Sequence, residues 1–393
     1  MAERNLDFNT IINRKNTNSL KYDFAAERGR PKDVLPLWVA DMDFRISSYI
    51  QDALLSQVEH GIYGYSEAKD GYFEAVHDWF LKHHNWEVQR SWLVKTPGVV
   101  MAIAMAIKAF TKEGEGVLIQ QPVYYPFMEV VRANNRKLVN NPLIFDGSKY
   151  KIDFKDLEEK IKAEHVRLMV LCSPHNPVGR VWTKEELERL GDICEQYHVI
   201  VVSDEIHADF VYQGKHWVFP TVKKSFADFS IVCTAPSKTF NIAGLQVSNI
   251  WISNPALRRQ FCKQLDAVGY SQLNGAGLVA CEAAYRNGEA WYEAMIAYVK
   301  DNIAYTRTFL EEHIPEVQMI EPEGTYMVWL DFRGLNLIEC ELEELILQKA
   351  GLWLDSGSIF GEEGRNFQRI NVACPRKTLE TALIHLENAI TTE

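Results

Sequence analysis

The chain has 393 residues, of which 47% are hydrophobic and 24% charged, as is typical of a globular protein larger than a single core. Its net charge of -11 argues against a protein that mainly binds nucleic acid or an anionic membrane, because such binding requires clustered lysine and arginine. The seven cysteines are scattered without a C-x-x-C pair, which favours reduced thiols over a disulfide framework or a zinc site.

No run of about 18 apolar residues occurs, and the first ten residues, MAERNLDFNT, lack the apolar core of a signal peptide. We therefore expect a soluble cytoplasmic protein whose partners include neither a membrane nor a nucleic acid. The adjacent His83 and His84 do not share a helix face and have no flanking carboxylate cluster, so we expect no metal site there.

Short apolar segments alternate with helical patterns from about residue 90 to residue 285. Between two of these segments, Thr183 and Glu186 form a capping box at the start of a predicted helix. The segments predicted as strands are GVLIQ, VRLMVLC, HVIVVSD, SIVCTA and SNIWI. Strands that alternate with helices indicate an α/β domain with a largely parallel sheet covered on both faces.

Both ends of the chain show a different pattern. Residues 1–46 are polar and irregular except for the apolar segment VLPLWVADMDF near their end. Beyond about residue 286, long helical patterns precede two predicted strands, GTYMVWLDF and FQRINVAC. We therefore predict a large domain over 47–285 and a smaller α+β domain formed by 1–46 together with 286–393.

Polar residues of unlike type follow four of the predicted strands. Asn176 lies after VRLMVLC, Asp204 after HVIVVS, Tyr124 after GVLIQ and Lys238 after SIVCT. Ligands collect at the carboxyl ends of parallel strands, so we expect these residues on one rim of the sheet. Taken singly, each has a simpler explanation: Lys238 could be a surface charge, and Asp204 could cap the next helix.

The segment PGVVMAI adds a helix start to this rim. The backbone N–H groups of Gly98, Val99 and Val100 would stand at the helix N-terminus, where the helix dipole favours an anion such as phosphate. A phosphate cradle, a carboxylate, an aromatic ring and a lysine on one rim match the needs of pyridoxal phosphate.

The motifs of this chain also carry a resemblance to a known family. In chain order they are LPLWVADMDF, HGIYGYSE, PGVVMAI, PVYYPF, SPHNPVGRVW, SDEIHADF, APSKTFNIAGLQ and RINVACPR. Over essentially its whole length the chain resembles fold-type I pyridoxal-phosphate enzymes, in particular the MalY/PatB group of cystathionine β-lyases. The resemblance implies a fold-type I transferase fold with a mostly parallel seven-stranded sheet, and a homodimer with active sites shared across the interface.

The resemblance implies a role for each polar residue at the strand ends. Lys238 would bind the cofactor as a Schiff base and then move protons, and Asp204 would keep the pyridine nitrogen protonated. Asn176 would hydrogen-bond the phenolic oxygen. Tyr124 would stack on the cofactor ring and is grouped with Lys238 as catalytic, whereas Tyr125 is assigned to packing.

For the phosphate, the resemblance assigns the N–H groups of Gly98, Val99 and Val100, with Ser237 as a hydroxyl donor. In dimers of this fold a tyrosine of the partner subunit also reaches the phosphate. Tyr65 is the first candidate for that role, and Tyr63, grouped with the substrate residues, is the second.

The substrate would be held by residues from both chain ends. Arg369 matches the arginine that binds the substrate α-carboxylate with its planar fork of donors. Ala40 and Asp41 match a loop that closes over the substrate.

Two departures from related aminotransferases bear on the reaction. His207, which we keep among the cofactor-binding residues, stands where many of them have a tyrosine, and Gln246 stands where they commonly have an arginine. Both differences favour a lyase that performs β-elimination on a sulfur-containing amino acid. Cystathionine would give homocysteine, and cysteine would give hydrogen sulfide, each with pyruvate and ammonia.

Two alternatives stay open. An aminotransferase would use the same cofactor and Lys238 but would return the proton to the cofactor carbon. A regulatory protein that keeps the fold is the other alternative. It is disfavoured because Lys238, Asp204 and Arg369 are all present and because no DNA-binding segment precedes the fold.

Overall fold

The computed structural model of the protein describes residues 3–392. Its strands are β1 (Leu35–Pro36), β2 (Leu93–Thr96), β3 (Gly116–Ile119), β4 (Lys137–Asn140), β5 (Ile144–Phe145), β6 (Tyr150–Lys151), β7 (Val166–Cys172), β8 (Ile200–Asp204), β9 (Ser230–Thr234), β10 (Ser248–Trp251), β11 (Gln318–Ile320), β12 (Met327–Asp331), β13 (Leu352–Trp353), β14 (Asp355–Ser356) and β15 (Phe367–Asn371).

The α-helices are α1 (Ser48–His60), α2 (Asp70–His84), α3 (Val99–Phe110), α4 (Pro126–Ala133), α5 (Phe154–Ala163), α6 (Lys184–Gln196), α7 (Phe219–Val222), α8 (Pro236–Thr239), α9 (Pro255–Ala267), α10 (Gly275–Asn287), α11 (Glu289–His313), α12 (Glu339–Glu344) and α13 (Arg376–Thr391). The predicted capping box opens α6. The Thr183 hydroxyl accepts from the Glu186 N–H at 3.2 Å, and the Glu186 carboxylate accepts from the Thr183 N–H at 2.9 Å.

Seven strands form the large sheet in the order β2-β10-β9-β8-β7-β3-β4. Strand β10 runs antiparallel to both neighbours, and the other pairs are parallel. Successive residues of β7 face opposite sides: Leu168 and Val170 belong to the cluster that includes α3, and Met169 and Leu171 belong to the cluster that includes α6. The predicted seven-stranded, mostly parallel sheet is confirmed.

The parallel strands bring their carboxyl ends to one rim. Cys172 at the end of β7 pairs with Asp204 at the end of β8, and Asp204 pairs with Cys233 in β9. The segments that follow these strands therefore start side by side, which is the condition for a shared site.

A second sheet is antiparallel and has the order β11-β12-β15-β14. The N-terminal segment joins this part of the molecule because β1 pairs in parallel with β13, with Leu35 opposite Leu352. The strands of the large sheet span residues 93–251 and those of the small sheet span 318–371. The boundaries at 46/47 and 285/286 stay a prediction.

Across residues 3–392, no helix has both the length and the apolar character needed to cross a bilayer, and no histidine, cysteine or acidic cluster could hold a metal ion. His83 pairs with Glu289 at 3.0 Å, and His84 pairs with Asp209 at 2.8 Å. All seven cysteines are free thiols.

Candidate active site

A cavity of about 180 Å³ lies at the carboxyl rim of the large sheet. Every predicted site residue lines it except Arg369, Asp41, Tyr63 and Tyr65. Five residues without a predicted role also line it: Pro97, Cys172, Ile206, Ala243 and Ser248.

Lys238 lies in the one-turn helix α8, which begins with Pro236 directly after buried strand β9. Its Nζ donates to the Ala40 carbonyl oxygen at 2.7 Å. Part of its surface is open to the cavity, yet the protein around it is dense enough that burial lowers the pKa of Lys238 to about 8. Roughly a tenth of the amine is neutral at pH 7, which makes Lys238 a usable nucleophile and base.

Asp204 ends strand β8 and is buried. One carboxylate oxygen accepts from the Ile206 N–H at 3.1 Å. Burial raises the pKa of Asp204 to about 7, although the charge of Lys238 opposes the rise. Within the described part of the chain no cationic group forms an ion pair with Asp204, so this carboxylate is suited to a ligand that brings a positive charge.

His207 lies three residues after Asp204 and is buried in the cavity wall. Burial, assisted by the charges of Lys238 and Arg369, holds the pKa of His207 well below its ordinary value, so the ring is neutral. Its Nδ1 has no hydrogen-bond partner in residues 3–392. A buried ring nitrogen without a partner is available to a ligand in the cavity.

Helix α3 points its N-terminus at the same cavity. Its N-cap, Gly98, is extended with φ 174° and no side chain caps the helix. A Cβ at Gly98 would meet no protein atom within 4 Å. The N–H groups of the first turn therefore lie beside open space in the cavity wall, with Ser237 of α8 also among the lining residues.

Arg369 of β15 is buried next to the cavity rather than in its wall. Its Nη1 donates to Asn176 Oδ1 at 3.0 Å, and its Nη2 donates to the Trp38 carbonyl oxygen at 2.8 Å and to the Asp355 carboxylate. Its Nε has no partner in the part of the chain described. The protein thus already supplies one carboxylate to Arg369, while two of the five N–H donors stay available.

Asp355 was missed by the sequence analysis. It lies opposite Arg369 in the β14–β15 register, and burial raises its pKa while Arg369 opposes the rise. A signal was present, because Asp355 follows the apolar run Leu352–Leu354 as Asp204 follows its own strand. Its partner could not be read from the sequence, since it depends on which strands pair.

Tyr124 lies just before α4 in the cavity wall. Its N–H donates to the Asn176 carbonyl oxygen at 3.0 Å, which ties the two predicted cofactor residues together. Burial raises the pKa of Tyr124 well above its ordinary value, so the hydroxyl keeps its proton at neutral pH. The Tyr125 ring packs against Tyr124 and Phe360 at centroid distances of 5.6 and 6.0 Å.

The segment Trp38–Phe44, which we call the cover loop, lies over Lys238. The Ala40 carbonyl oxygen accepts from Lys238 Nζ and also from the Tyr326 hydroxyl at 2.9 Å. Asn371 Nδ2 donates to the carbonyl oxygens of Val39 and Asp41, both at 2.7 Å. Side chains from different parts of the chain therefore hold the loop by its backbone.

The carboxylates of the cover loop are engaged outside the cavity. Arg14 pairs with Asp41 at 2.5 Å and with Asp43 at 2.6 Å. The buried Lys21 pairs with Asp43 at 2.7 Å. Asp41 thus fixes the loop from its outer side and does not line the cavity.

Tyr63, Tyr65 and Gln246 lie outside the cavity of their own chain. Tyr63 is 70% exposed and Tyr65 is fully exposed at 101%. Gln246 is also exposed and adopts a left-handed conformation with φ 50° after a short 3-10 turn. The chain does not bring these three residues to Lys238 by itself.

Comparison with known proteins shows the family of the chain. The family model described as aminotransferase class I and II matches residues 33–386. Cystathionine β-lyase PatB of Bacillus subtilis (strain 168) is 41% identical over 386 residues, covering 98% of this chain and 100% of PatB. Protein MalY of Escherichia coli (strain K12) is 34% identical over 386 residues, covering 98% of both chains.

A solved structure extends the likeness to three dimensions. The crystal structure of cystalysin from Treponema denticola, which contains a pyridoxal 5'-phosphate cofactor, superposes with a TM-score of 0.95 at 38% identity. The match covers 98% of this chain and 99% of cystalysin.

Proposed function

The chain belongs to the class I and II aminotransferase family as a pyridoxal-phosphate-dependent carbon–sulfur lyase, and we propose that it performs β-elimination on L-cystathionine, L-cysteine or both. With one water consumed, cystathionine gives homocysteine, pyruvate and ammonia. Cysteine gives hydrogen sulfide with the same two other products. The name of PatB, a cystathionine β-lyase, supports a sulfur substrate, and the choice between the two substrates is our own inference.

The residues of the cavity fit pyridoxal phosphate. Asp204 offers a buried carboxylate that lacks a cation, and a protonated pyridine nitrogen would supply one. His207 Nδ1 lacks a hydrogen-bond partner among the described residues, and Asn176 stands beside it in the same wall, so both suit the oxygen on the cofactor ring. The N–H groups that follow Gly98, with the Ser237 hydroxyl, suit the phosphate.

Bound pyridoxal phosphate supplies an electron sink for the pair of electrons left when the substrate Cα loses its proton. Lys238 is the residue that would hold the cofactor aldehyde and, once its amine is free, take the Cα proton. Its lowered pKa suits both tasks because each requires a neutral amine. Asp204 is the residue that would keep the ring nitrogen protonated and so stabilise the electron sink.

Arg369 would bind the substrate α-carboxylate through the N–H donors that Asn176, Trp38 and Asp355 leave available. Asp355 keeps the guanidinium in place before the substrate arrives, so little side-chain ordering remains for binding. The cover loop would exclude water from the Cα atom by lying over Lys238.

Elimination breaks the Cβ–S bond, and the sulfur leaves with the bonding electrons as a thiolate. A proton must then reach the sulfur. Lys238, which holds the proton taken from Cα, is one donor, and the Tyr124 hydroxyl is the other because burial keeps it protonated. Both face the same cavity, so either can reach a sulfur held there.

The protein would act as a homodimer. Tyr63 and Tyr65 project from their own chain, and Leu55, Val58 and Ile62 nearby are also exposed at 51%, 61% and 72%. Five exposed apolar or aromatic side chains close together in the chain favour association with a second copy. We assign Tyr65 of the partner subunit to the phosphate end of the cavity, whose wall includes the exposed Ala243.

The observation that carries the proposal is a lysine with a pKa near 8 that shares one cavity with the unpaired carboxylate of Asp204 and lies beside Arg369. The test is to incubate the cofactor-loaded protein with L-cystathionine and to follow pyruvate, thiol and keto-acid exchange separately. Pyruvate and thiol in equal amounts, without an added keto acid, are expected. A strict requirement for an acceptor keto acid would show an aminotransferase instead.

A pair of variants ties that activity to the cavity. Lys238→Ala should abolish both the visible absorbance of the bound cofactor and pyruvate formation. Lys224→Ala removes an exposed lysine outside the cavity and should leave both unchanged. A Lys238→Ala protein that stayed coloured and active would refute the assignment.

A further inference from the structure

Two tryptophans stack beside the carboxylate-binding arginine. The rings of Trp38 and Trp353 lie 4.4 Å apart at an interplanar angle of 13°. The Arg28 guanidinium lies 5.2 Å from the centre of the Trp38 ring, and the Arg30 guanidinium lies 6.0 Å from the centre of the Trp353 ring. The backbone that carries this stack touches the residue assigned to the substrate α-carboxylate, because the Trp38 carbonyl oxygen accepts from Arg369 Nη2 at 2.8 Å.

The two outer arginines have no acidic partner. In residues 3–392 neither Arg28 nor Arg30 forms an ion pair or a side-chain hydrogen bond, and their contacts are with the tryptophan rings. Arg28 is exposed and Arg30 is half-buried. Trp38 is only 7% exposed, yet its Nε1 donor also lacks a partner in this part of the chain. Three N–H donor groups at one edge of the cover loop are thus unused.

Both arginines lie within electrostatic range of residues around Arg369. Burial raises the pKa of Tyr125, and the charge of Arg28 opposes that rise. Burial also raises the pKa of Asp355, and the charge of Arg30 is among the charges that oppose it, because a cation favours the carboxylate. The other cations near the loop, Arg14 and Lys21, are already paired with Asp41 and Asp43. Arg28 and Arg30 therefore add unpaired positive charge at this edge, directly beside the tryptophan rings.

Acidic groups at the same edge do not cancel that charge. Glu343 accepts from Gln368 Nε2 at 2.9 Å, and Glu129 lies on α4 beside Tyr125. Neither carboxylate pairs with Arg28 or Arg30 within the described residues. A guanidinium stacked on an aromatic ring keeps its planar edge free for a carboxylate, which is the ligand geometry that arginine prefers.

We propose that Arg28 and Arg30 form a subsite for a carboxylate on the sulfur-borne group of the substrate, so that the site prefers thioethers whose distal end carries a carboxylate, as in cystathionine, over those whose distal end carries none. The inference rests on the proposed β-elimination. It implies a preference for cystathionine over cysteine, because cysteine has no distal group for the arginines to bind.

The test compares two substrates of nearly equal shape. S-(2-carboxyethyl)-L-cysteine and S-propyl-L-cysteine differ mainly in a terminal carboxylate, so the ratio of their kcat/KM values measures recognition of that charge. The cofactor-loaded wild-type dimer should favour the carboxylate substrate. Arg28→Gln and Arg30→Gln should each lower the ratio about threefold and together about tenfold, the range expected for partly exposed ion pairs. Lys32→Gln, which removes an exposed charge from the same segment, is the matched control and should leave the ratio unchanged.

The outcomes are distinguishable. A ratio unchanged in the double variant, or lowered equally by Lys32→Gln, would overturn the subsite. Equal losses for both substrates would also overturn it, since they would mean that the arginines only support the loop. If the wild-type protein released a thiol from neither of these substrates, nor from L-cystathionine or L-cysteine, the β-elimination itself would be refuted.

Discussion

Lys238 and Asp204 carry opposite charges, and burial acts against both of them in the same cavity. The pKa of Lys238 falls to about 8 and the pKa of Asp204 rises to about 7, so the two values approach each other. Such paired shifts are typical of groups arranged for chemistry rather than for stability. The cofactor would restore the carboxylate by supplying a cation beside it.

This arrangement predicts that Asp204 destabilises the cofactor-free protein at alkaline pH. A carboxyl whose folded pKa is raised binds more protons folded than unfolded, so its contribution weakens as pH rises from about 4 to about 7. Asp204→Asn should therefore stabilise the cofactor-free protein at pH 8 by up to about 4 kcal/mol, with little gain at pH 4. Urea unfolding at both pH values measures the difference.

The same variant should bind pyridoxal phosphate more weakly, because an amide cannot hold the ring nitrogen protonated. A matched change is Asp228→Asn, which alters an aspartate outside the cavity and should affect neither stability nor cofactor affinity at pH 8. If Asp204→Asn destabilised the cofactor-free protein at pH 8, the carboxylate would have a protein cation as its partner.

A second prediction concerns the rate of cofactor capture. Since only the neutral amine of Lys238 reacts with an aldehyde, capture by the cofactor-free protein should speed up about tenfold per pH unit below pH 8 and level off above it. Stopped-flow absorbance measures the rate. A plateau reached only near pH 10.5 would mean that Lys238 keeps the pKa of a solvated lysine.

At the scale of single elements, the cover loop is held by side chains that follow the two main functional residues. Asn371 lies two residues after Arg369, and its Nδ2 binds two loop carbonyl oxygens. Asn241 lies three residues after Lys238, and its Nδ2 binds the carbonyl oxygens of Met42 and Phe44 at 3.0 and 2.9 Å. The cover loop is thus hydrogen-bonded to the segment that carries Lys238 and to the strand that carries Arg369.

Asn371→Ala should raise KM several-fold and lower stability by about 2 kcal/mol, because two buried loop carbonyls lose their donors. Asn302→Ala is a matched control: its Nδ2 also bridges two carbonyl oxygens, of Val372 and Cys374, but not in the cover loop. Both variants should unfold at lower urea concentrations, and only Asn371→Ala should raise KM. Equal KM values in the two variants would contradict a positioning role for Asn371.

The elements that sequence predicts best are those determined locally. Lys238, Asp204 and Asn176 stand directly after buried apolar runs, so strand patterning alone predicted their place on one rim. Asp355 meets Arg369, and Tyr326 and Asn371 meet the cover loop, only because β12, β14 and β15 pair in one sheet. Such contacts depend on tertiary pairing, which a single sequence does not reveal.

At the scale of the whole molecule, a shared site predicts complementation between inactive chains. In a hybrid dimer of a Lys238→Ala chain and a Tyr65→Ala chain, one site would combine Lys238 of one chain with Tyr65 of the other. A hybrid purified through two different tags should recover about half of the wild-type activity at limiting cofactor.

The Lys238→Ala and Tyr65→Ala homodimers are the controls for this experiment. Each homodimer should have low activity under the same conditions, because each lacks one of the two residues in both sites. A hybrid no more active than the Tyr65→Ala homodimer would place Tyr65 outside the partner's site, and sedimentation would then show whether the chain dimerises at all.

Cys172 bears on how the protein tolerates its own thiol products. Its sulfur lies in the cavity wall, with the thiol donating to the Pro174 carbonyl oxygen at 3.5 Å, and burial raises the pKa of Cys172 well above its ordinary value. A thiol that keeps its proton is a poor nucleophile. The protonated Cys172 thiol therefore attacks a disulfide slowly, so a product thiol that has been oxidised to its disulfide in solution exchanges only slowly with this residue of the cavity.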